Sequence, residues 1–133
     1  MNTQLSLQPY DKWRGRLYPI LLKTEHKNRH AFAENVDRAL LNRKAFLFLS
    51  PDGFLVLKPF DGDKVCIMFA YSFVQGATTK YQPEIERLCR QIGAKQLVFC
   101  TALGKAFARV SKRLGYQLVE KNGHISTWLK ELV

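Results

Sequence analysis

The sequence predicts a mixed α/β (α+β) domain in which a mostly antiparallel central sheet is covered by helices on both faces. Three observations carry that prediction. The apolar period switches repeatedly between helical and extended, giving the order ααβββαβαββ over residues 1–133. The extended runs are apolar on both faces, so helices must cover them. A strand–helix–strand unit spanning 65–101 requires a right-handed crossover and one parallel pair inside an otherwise antiparallel set. A chain of 133 residues with 47% apolar and 24% charged residues is of ordinary composition for one folded domain able to bury its own core.

In chain order, Asp11–Lys23 carries Trp13, Leu17, Ile20 and Leu21 on one helical side, with Pro19 predicting a kink or two short pieces. Phe32, Val36, Ala39 and Leu40 predict a second helix from about His30 to Leu41. Ala45–Ser50, Phe54–Phe60 and Val65–Phe73 read as an antiparallel meander, its turns set by Pro51-Asp52-Gly53 and Asp61-Gly62-Asp63. Tyr81, Ile85, Leu88, Cys89 and Ile92 return to the helical period. That helix starts at Thr79 or Lys80, accepts Pro83 in its first turn and stops at Gly93. Gln96–Thr101 is a strand, and Leu103, Ala106, Phe107, Val110 and Leu114 line a helix closed by Gly115. Tyr116–Glu120 and Ile125–Leu129 flank Asn122-Gly123, a hairpin signal.

Charge is the unusual feature. Twenty-one Lys and Arg against eleven Asp and Glu give a net +10, which suggests an anionic partner. Residues 1–50 hold +5 and 79–115 hold +6, while 51–78 hold −1 and 116–133 are neutral. Lys105, Arg109, Lys112 and Arg113 share one helix face, which serves as a solvated face, a phosphate-facing surface or a nucleic-acid surface. Cys66, Cys89 and Cys100 lie in apolar runs and read as small buried hydrophobes; His26, His30 and His124 show no metal-ligand spacing. No secretory leader and no run of membrane-span length is legible, so the expectation is a cytoplasmic protein without a membrane partner.

The element order resembles that of the GNAT superfamily of acyl-CoA N-acetyltransferases, from about Asp11 to Leu132. Val65–Phe73 looks like the family's central strand with its splayed bulge. Gln75-Gly76-Ala77-Thr78-Thr79-Lys80 occupies the position of its pyrophosphate loop, and Tyr81–Gly93 that of the following helix. Arg113-Leu114-Gly115-Tyr116 resembles its common L-G-F/Y ending. The compact size is similar to that of small GNAT-like proteins encoded by tailed bacteriophages. The resemblance implies acetyl-CoA, with Tyr71, Ser72 and Phe73 beside the pantetheine arm and Gln75 to Lys80 around the pyrophosphate. It implies transfer to a primary amine. Physical logic points to the same turn independently, because a strand feeding a helix N-terminus through a Gly-containing loop presents free amides to an anion, and Lys80 adds a cation.

Two departures stand out. The loop holds one glycine where the family pattern Q/R-x-x-G-x-G/A has more, so Thr78 and Thr79 either donate to phosphates or cap the helix. Counting back from Tyr116 places Ser111 where many members carry the Tyr that protonates the leaving thiolate, and Gly104 where they carry an Asn. Glu34, Asp37 and His124 are candidate bases by chemistry alone. Three functions follow: an N-acetyltransferase, a non-catalytic binding or virion-associated module on the same fold, and a basic nucleic-acid-binding module. The N-terminal +5 lies outside the phosphate-loop segment and keeps an acidic partner or nucleic acid in view.

Overall fold

A computed structural model of the chain describes residues 5–29, 31–72, 77–102 and 105–132. The elements are β1 (Ser6–Gln8), α1 (Tyr10–Asn28), α2 (Ala33–Leu41), β2 (Phe46–Ser50), β3 (Gly53–Phe60), β4 (Lys64–Ser72), α3 (Ala77–Gln91), β5 (Gln96–Thr101), α4 (Lys105–Arg113), β6 (Gln117–Asn122) and β7 (Ile125–Glu131). The strands form one seven-stranded sheet in the order β1-β2-β3-β4-β5-β7-β6. Every neighbouring pair is antiparallel except β4 and β5, which α3 joins as a parallel crossover.

Alternation along the strands splits the core in two. Leu47, Val56 and Phe69 pack under α1 and α2 against Leu17, Leu21, Val36 and Leu40. Leu55, Val65, Leu97 and Trp128 pack on the other face against Tyr81, Ile85 and Cys89 of α3. The mixed sheet with helices on both faces agrees with the class read from the sequence.

The differences have physical reasons. β1 precedes the first helix and was not expected; it is three residues long and exists by pairing with β2 from Leu47 to Leu49. α1 does not break at Pro19. Leu17 and Leu21 flank the proline and are almost fully buried on the sheet, so packing offsets the lost backbone bond. α2 begins at Ala33 because the Glu25 carboxylate accepts hydrogen bonds from the Phe32 and Ala33 amides at 2.8 and 2.9 Å; His30 lies outside the described residues. α3 begins at Ala77, ahead of Thr79. Of the three cysteines only Cys89 is buried, whereas Cys66 is half-buried and Cys100 exposed. Burial pushes the thiols of Cys66 and Cys89 up to about 11.

α1 and α2 are locked by a polar contact inside their interface. Arg14 donates to both carboxylate oxygens of Asp37, at 2.8 and 3.0 Å, and the Tyr10 hydroxyl donates to the same group at 2.5 Å. The Arg14 hydrogen bond, helped by that of Tyr10, holds the Asp37 carboxyl below its ordinary value of 3.8 against the opposing effect of burial. A depressed carboxyl stabilises the fold above its unfolded pKa and loses that contribution as the pH falls through the folded one. Asp37→Asn is therefore expected to lower stability at pH 7 by about 1–3 kcal/mol and to flatten the acid limb below about pH 4, measured by urea denaturation across pH.

At the far end of β3, Gly53 pairs with Ser72. A Cβ there would run into the Tyr71 carbonyl oxygen. Gly53→Ala is expected to separate β3 from the end of β4 and to cost roughly 1–3 kcal/mol in denaturant unfolding; an unchanged midpoint would show that the two strands are free to part.

Candidate functional site

The site begins with one extra residue. Val56 pairs with Phe69 and Leu57 with Ile67, so Met68 has no partner on β3 and forms a bulge in β4. A bulge bends its strand and increases its twist. The parallel β4–β5 register ends at the same place, with Ile67 opposite Phe99. Beyond it β4 continues to Ser72 beside β3, while β5 continues to Thr101 beside β7. The two central strands therefore splay.

A cavity of about 920 Å³ opens along this splay. Met68 to Ser72 form its strand edge, and it reaches Phe32 and Asn35 on one side and Tyr81, Phe107 and Ser111 on the other. Its charged lining, among the described residues, is Lys23 and Lys27 of α1. Among the described residues no Asp, Glu or His is part of it.

The structure places the sequence-predicted residues unevenly. Tyr71 and Ser72 end β4 at the cavity wall. Phe73, Gln75 and Gly76 lie outside the described residues. Ala77, Thr78, Thr79 and Lys80 form the first turn of α3, which holds no acidic residue and whose first amides lack helical partners. Lys80 donates to Asp52 at 2.7 Å, and the Tyr81 hydroxyl donates to the same oxygen at 2.8 Å. The Lys80 hydrogen bond comes first among the causes that hold the Asp52 carboxyl low, and it raises the Lys80 ammonium in return. Asp52 thus ties the β2–β3 turn to the start of α3.

Ser111 lines the cavity, is 1% exposed, and donates its hydroxyl to the Phe107 carbonyl at 2.9 Å. Gly104 lies outside the described residues. Tyr116 packs edge-on against Phe99 with ring centroids 4.9 Å apart, and its hydroxyl meets the Gln82 amide at 3.0 Å. Burial raises the Tyr116 phenol well above its ordinary value. Gln82 in turn donates to Glu86 at 2.9 Å, and Lys130 donates to Glu86 at 2.6 Å. Burial works to raise the Glu86 carboxyl, but the Lys130 and Gln82 hydrogen bonds overcome it and leave the group below its ordinary value.

None of the three candidate bases enters the cavity. Asp37 is held by Arg14 and Tyr10. Glu34 pairs with Arg38 on the surface at 2.6 Å. His124, in the β6–β7 turn, hydrogen-bonds the Arg29 carbonyl at 3.0 Å and so joins the last hairpin to the end of α1. Lys105, Arg109, Lys112 and Arg113 are exposed on α4, and none pairs with a carboxylate among the described residues. Sequence reasoning missed Lys23 and Lys27, although their i, i+4 spacing lay inside the unexplained N-terminal excess of charge. Among the described residues no group of His, Cys, Asp and Glu is arranged for a metal, and no helix is long and apolar enough to cross a membrane.

No protein-family model matches the chain, and no curated protein matches it. Solved structures do. A GNAT family acetyltransferase from Elizabethkingia anophelis with acetyl-CoA bound superposes over 74% of this chain and 82% of its own, with TM-score 0.64 and 16% identity. Tetrahymena GCN5 covers 98% of this chain and 96% of its own, at TM-score 0.70 and 11% identity. N-acetylglutamate synthase from Neisseria gonorrhoeae, complexed with coenzyme A and N-acetyl-glutamate, covers the whole chain at TM-score 0.71 and 14% identity; the match spans 36% of the synthase. The chain has the GNAT acetyltransferase fold. At these identities the likeness extends to the fold.

Proposed function

We propose that the chain binds acetyl-CoA in the β4–β5 splay and transfers the acetyl group to an amine. The observation that carries this reading is the strand edge left open by Met68. An open edge inside a sheet presents backbone amides and carbonyls to a ligand, and the amides of a pantetheine arm meet them along Met68–Ala70. The first turn of α3, from Ala77 to Lys80, offers amides and a positive helix end to a pyrophosphate; Gln75 and Gly76 complete that loop in the sequence. The Elizabethkingia and Neisseria proteins, which carry acetyl-CoA and coenzyme A, share the fold and support the assignment.

Acetyl-CoA supplies an activated thioester when bound. The chain's own part is to hold an amine against it. With no carboxylate or histidine in the described cavity lining, rate enhancement rests on proximity and orientation. Ser111 is the polar side chain at the family's proton-donor position, and its hydroxyl is already engaged by Phe107. Binding without transfer is the second reading, favoured by that same lack of a base. An exposed, unpaired α4 face supports nucleic-acid binding as a third, for which affinity must fall steeply with salt and with charge reversal at Arg109 and Lys112.

Deletion of Met68 tests the central claim. It leaves Ile67 opposite Leu57 and Phe69 opposite Val56, so the β3–β4 register survives while the bulge is lost. Wild-type protein is expected to melt several degrees higher with millimolar acetyl-CoA, and the deletion variant, shown to be folded by circular dichroism, is expected to show no shift. An equal shift in both would overturn the placement. Ser111→Ala is expected to change kcat less than about tenfold; a loss of roughly 10²-fold or more would instead assign Ser111 a proton-transfer role.

A further inference from the structure

We infer that the amine acceptor carries a negative charge, a carboxylate or phosphate beside an apolar ring-containing body, and that Lys23 and Lys27 recognise it; this rests on the acetyl-transfer reading above. The two lysines lie one turn apart on α1, both exposed and both on the cavity wall. Neither pairs with a carboxylate among the described residues. Three acids of α1 and α2 are committed elsewhere: Glu25 to the Phe32 and Ala33 amides, Glu34 to Arg38, and Asp37 to Arg14 and Tyr10. A polycationic amine entering here meets two like charges and no counter-charge. An anion-bearing amine meets two cations with donors to spare.

The rest of this wall fits the apolar part of such a molecule. Phe32 stacks on Phe69 with centroids 5.3 Å apart, and Phe69 stacks on Tyr71 at 6.4 Å with planes 11° from parallel. These rings line the cavity beside Asn35. An aromatic cluster in the same cavity as two lysines suits a ring with an acidic substituent.

The missing base makes an independent argument. The transfer forms a C–N bond as the C–S bond of the thioester breaks; the amine gives up one proton and the departing thiolate gains one. Only the neutral amine has the lone pair for this. A lysine-type amine, with pKa about 10.4, is neutral in roughly one molecule per thousand at pH 7.4. Without a base in the described lining, the site favours an amine of lower pKa, and two nearby ammonium groups depress that pKa further.

The test uses matched pairs that differ in the acid group: L-phenylalanine against phenethylamine, and 4-aminobenzoate against aniline, with spermidine as the polycation. Each is added to the full chain with acetyl-CoA. Thiol release is followed for turnover, and the thermal shift with CoA for binding alone. The acidic member of each pair is expected to exceed its partner at least tenfold in kcat/KM or in apparent affinity, with spermidine weakest. Lys23→Glu/Lys27→Glu is expected to reverse that order while retaining the shift with acetyl-CoA alone. Equal responses within the pairs, absent responses throughout, a preference for spermidine, or an order unchanged in the double variant each overturn the inference. Failure of the acetyl-CoA shift in wild-type protein marks failure of the underlying reading instead.

Discussion

The placement of Met68 governs most of what this fold can do. One unpaired residue turns β4 away from β5 after Ile67, and a parallel pair in the middle of a seven-stranded sheet comes apart. Sheet interiors do not ordinarily leave a strand edge without hydrogen-bond partners, because buried backbone groups left unpaired are costly. The crossover through α3 follows from the same geometry. The helix that joins β4 to β5 presents the unsatisfied amides of its own first turn.

The side chains do something different. Three carboxylates are absorbed into fixed contacts: Asp37 under α1, Asp52 at the start of α3, and Glu86 beside Gln82 and Lys130. Each holds two elements together, and each is kept ionised by a cation beside it. What remains for the cavity is basic. The net charge of +10 thus includes cations engaged in structural pairs, such as Arg14, Lys80 and Lys130, and cations that pair with no carboxylate among the described residues, such as those of the α1 wall and the outer face of α4.

Legibility followed the range of the interaction that creates each feature. Helices and central strands are written in local periodicity, and α3, α4 and β2 to β7 stood where the period put them. β1 owes its existence to pairing with a strand some forty residues later and has no local signal of its own. Pro19 read as a break because local rules weigh the lost backbone bond and not the burial of Leu17 and Leu21 on the sheet. The site divides in the same way. The strand, loop and helix of the phosphate-binding turn are contiguous in sequence and could be read. The Asp52 partner of Lys80, the Arg14 and Tyr10 partners of Asp37, and the meeting of His124 with Arg29 depend on chain separations from 23 to 95 residues, which spacing does not encode.

Cys100 has a use that its packing alone does not suggest. Its thiol lies 3.3 Å from the Thr127 hydroxyl on the open stretch of β5, within the cavity, while Cys66 and Cys89 are held back by burial. Of the three thiols only that of Cys100 is exposed, Cys66 being half-buried in the same cavity, and thiol-directed alkylation of Cys100 reads whether the point where the central strands part is covered. No engineered label is needed: a footprint on a single residue turns occupancy of the groove into a mass measurement.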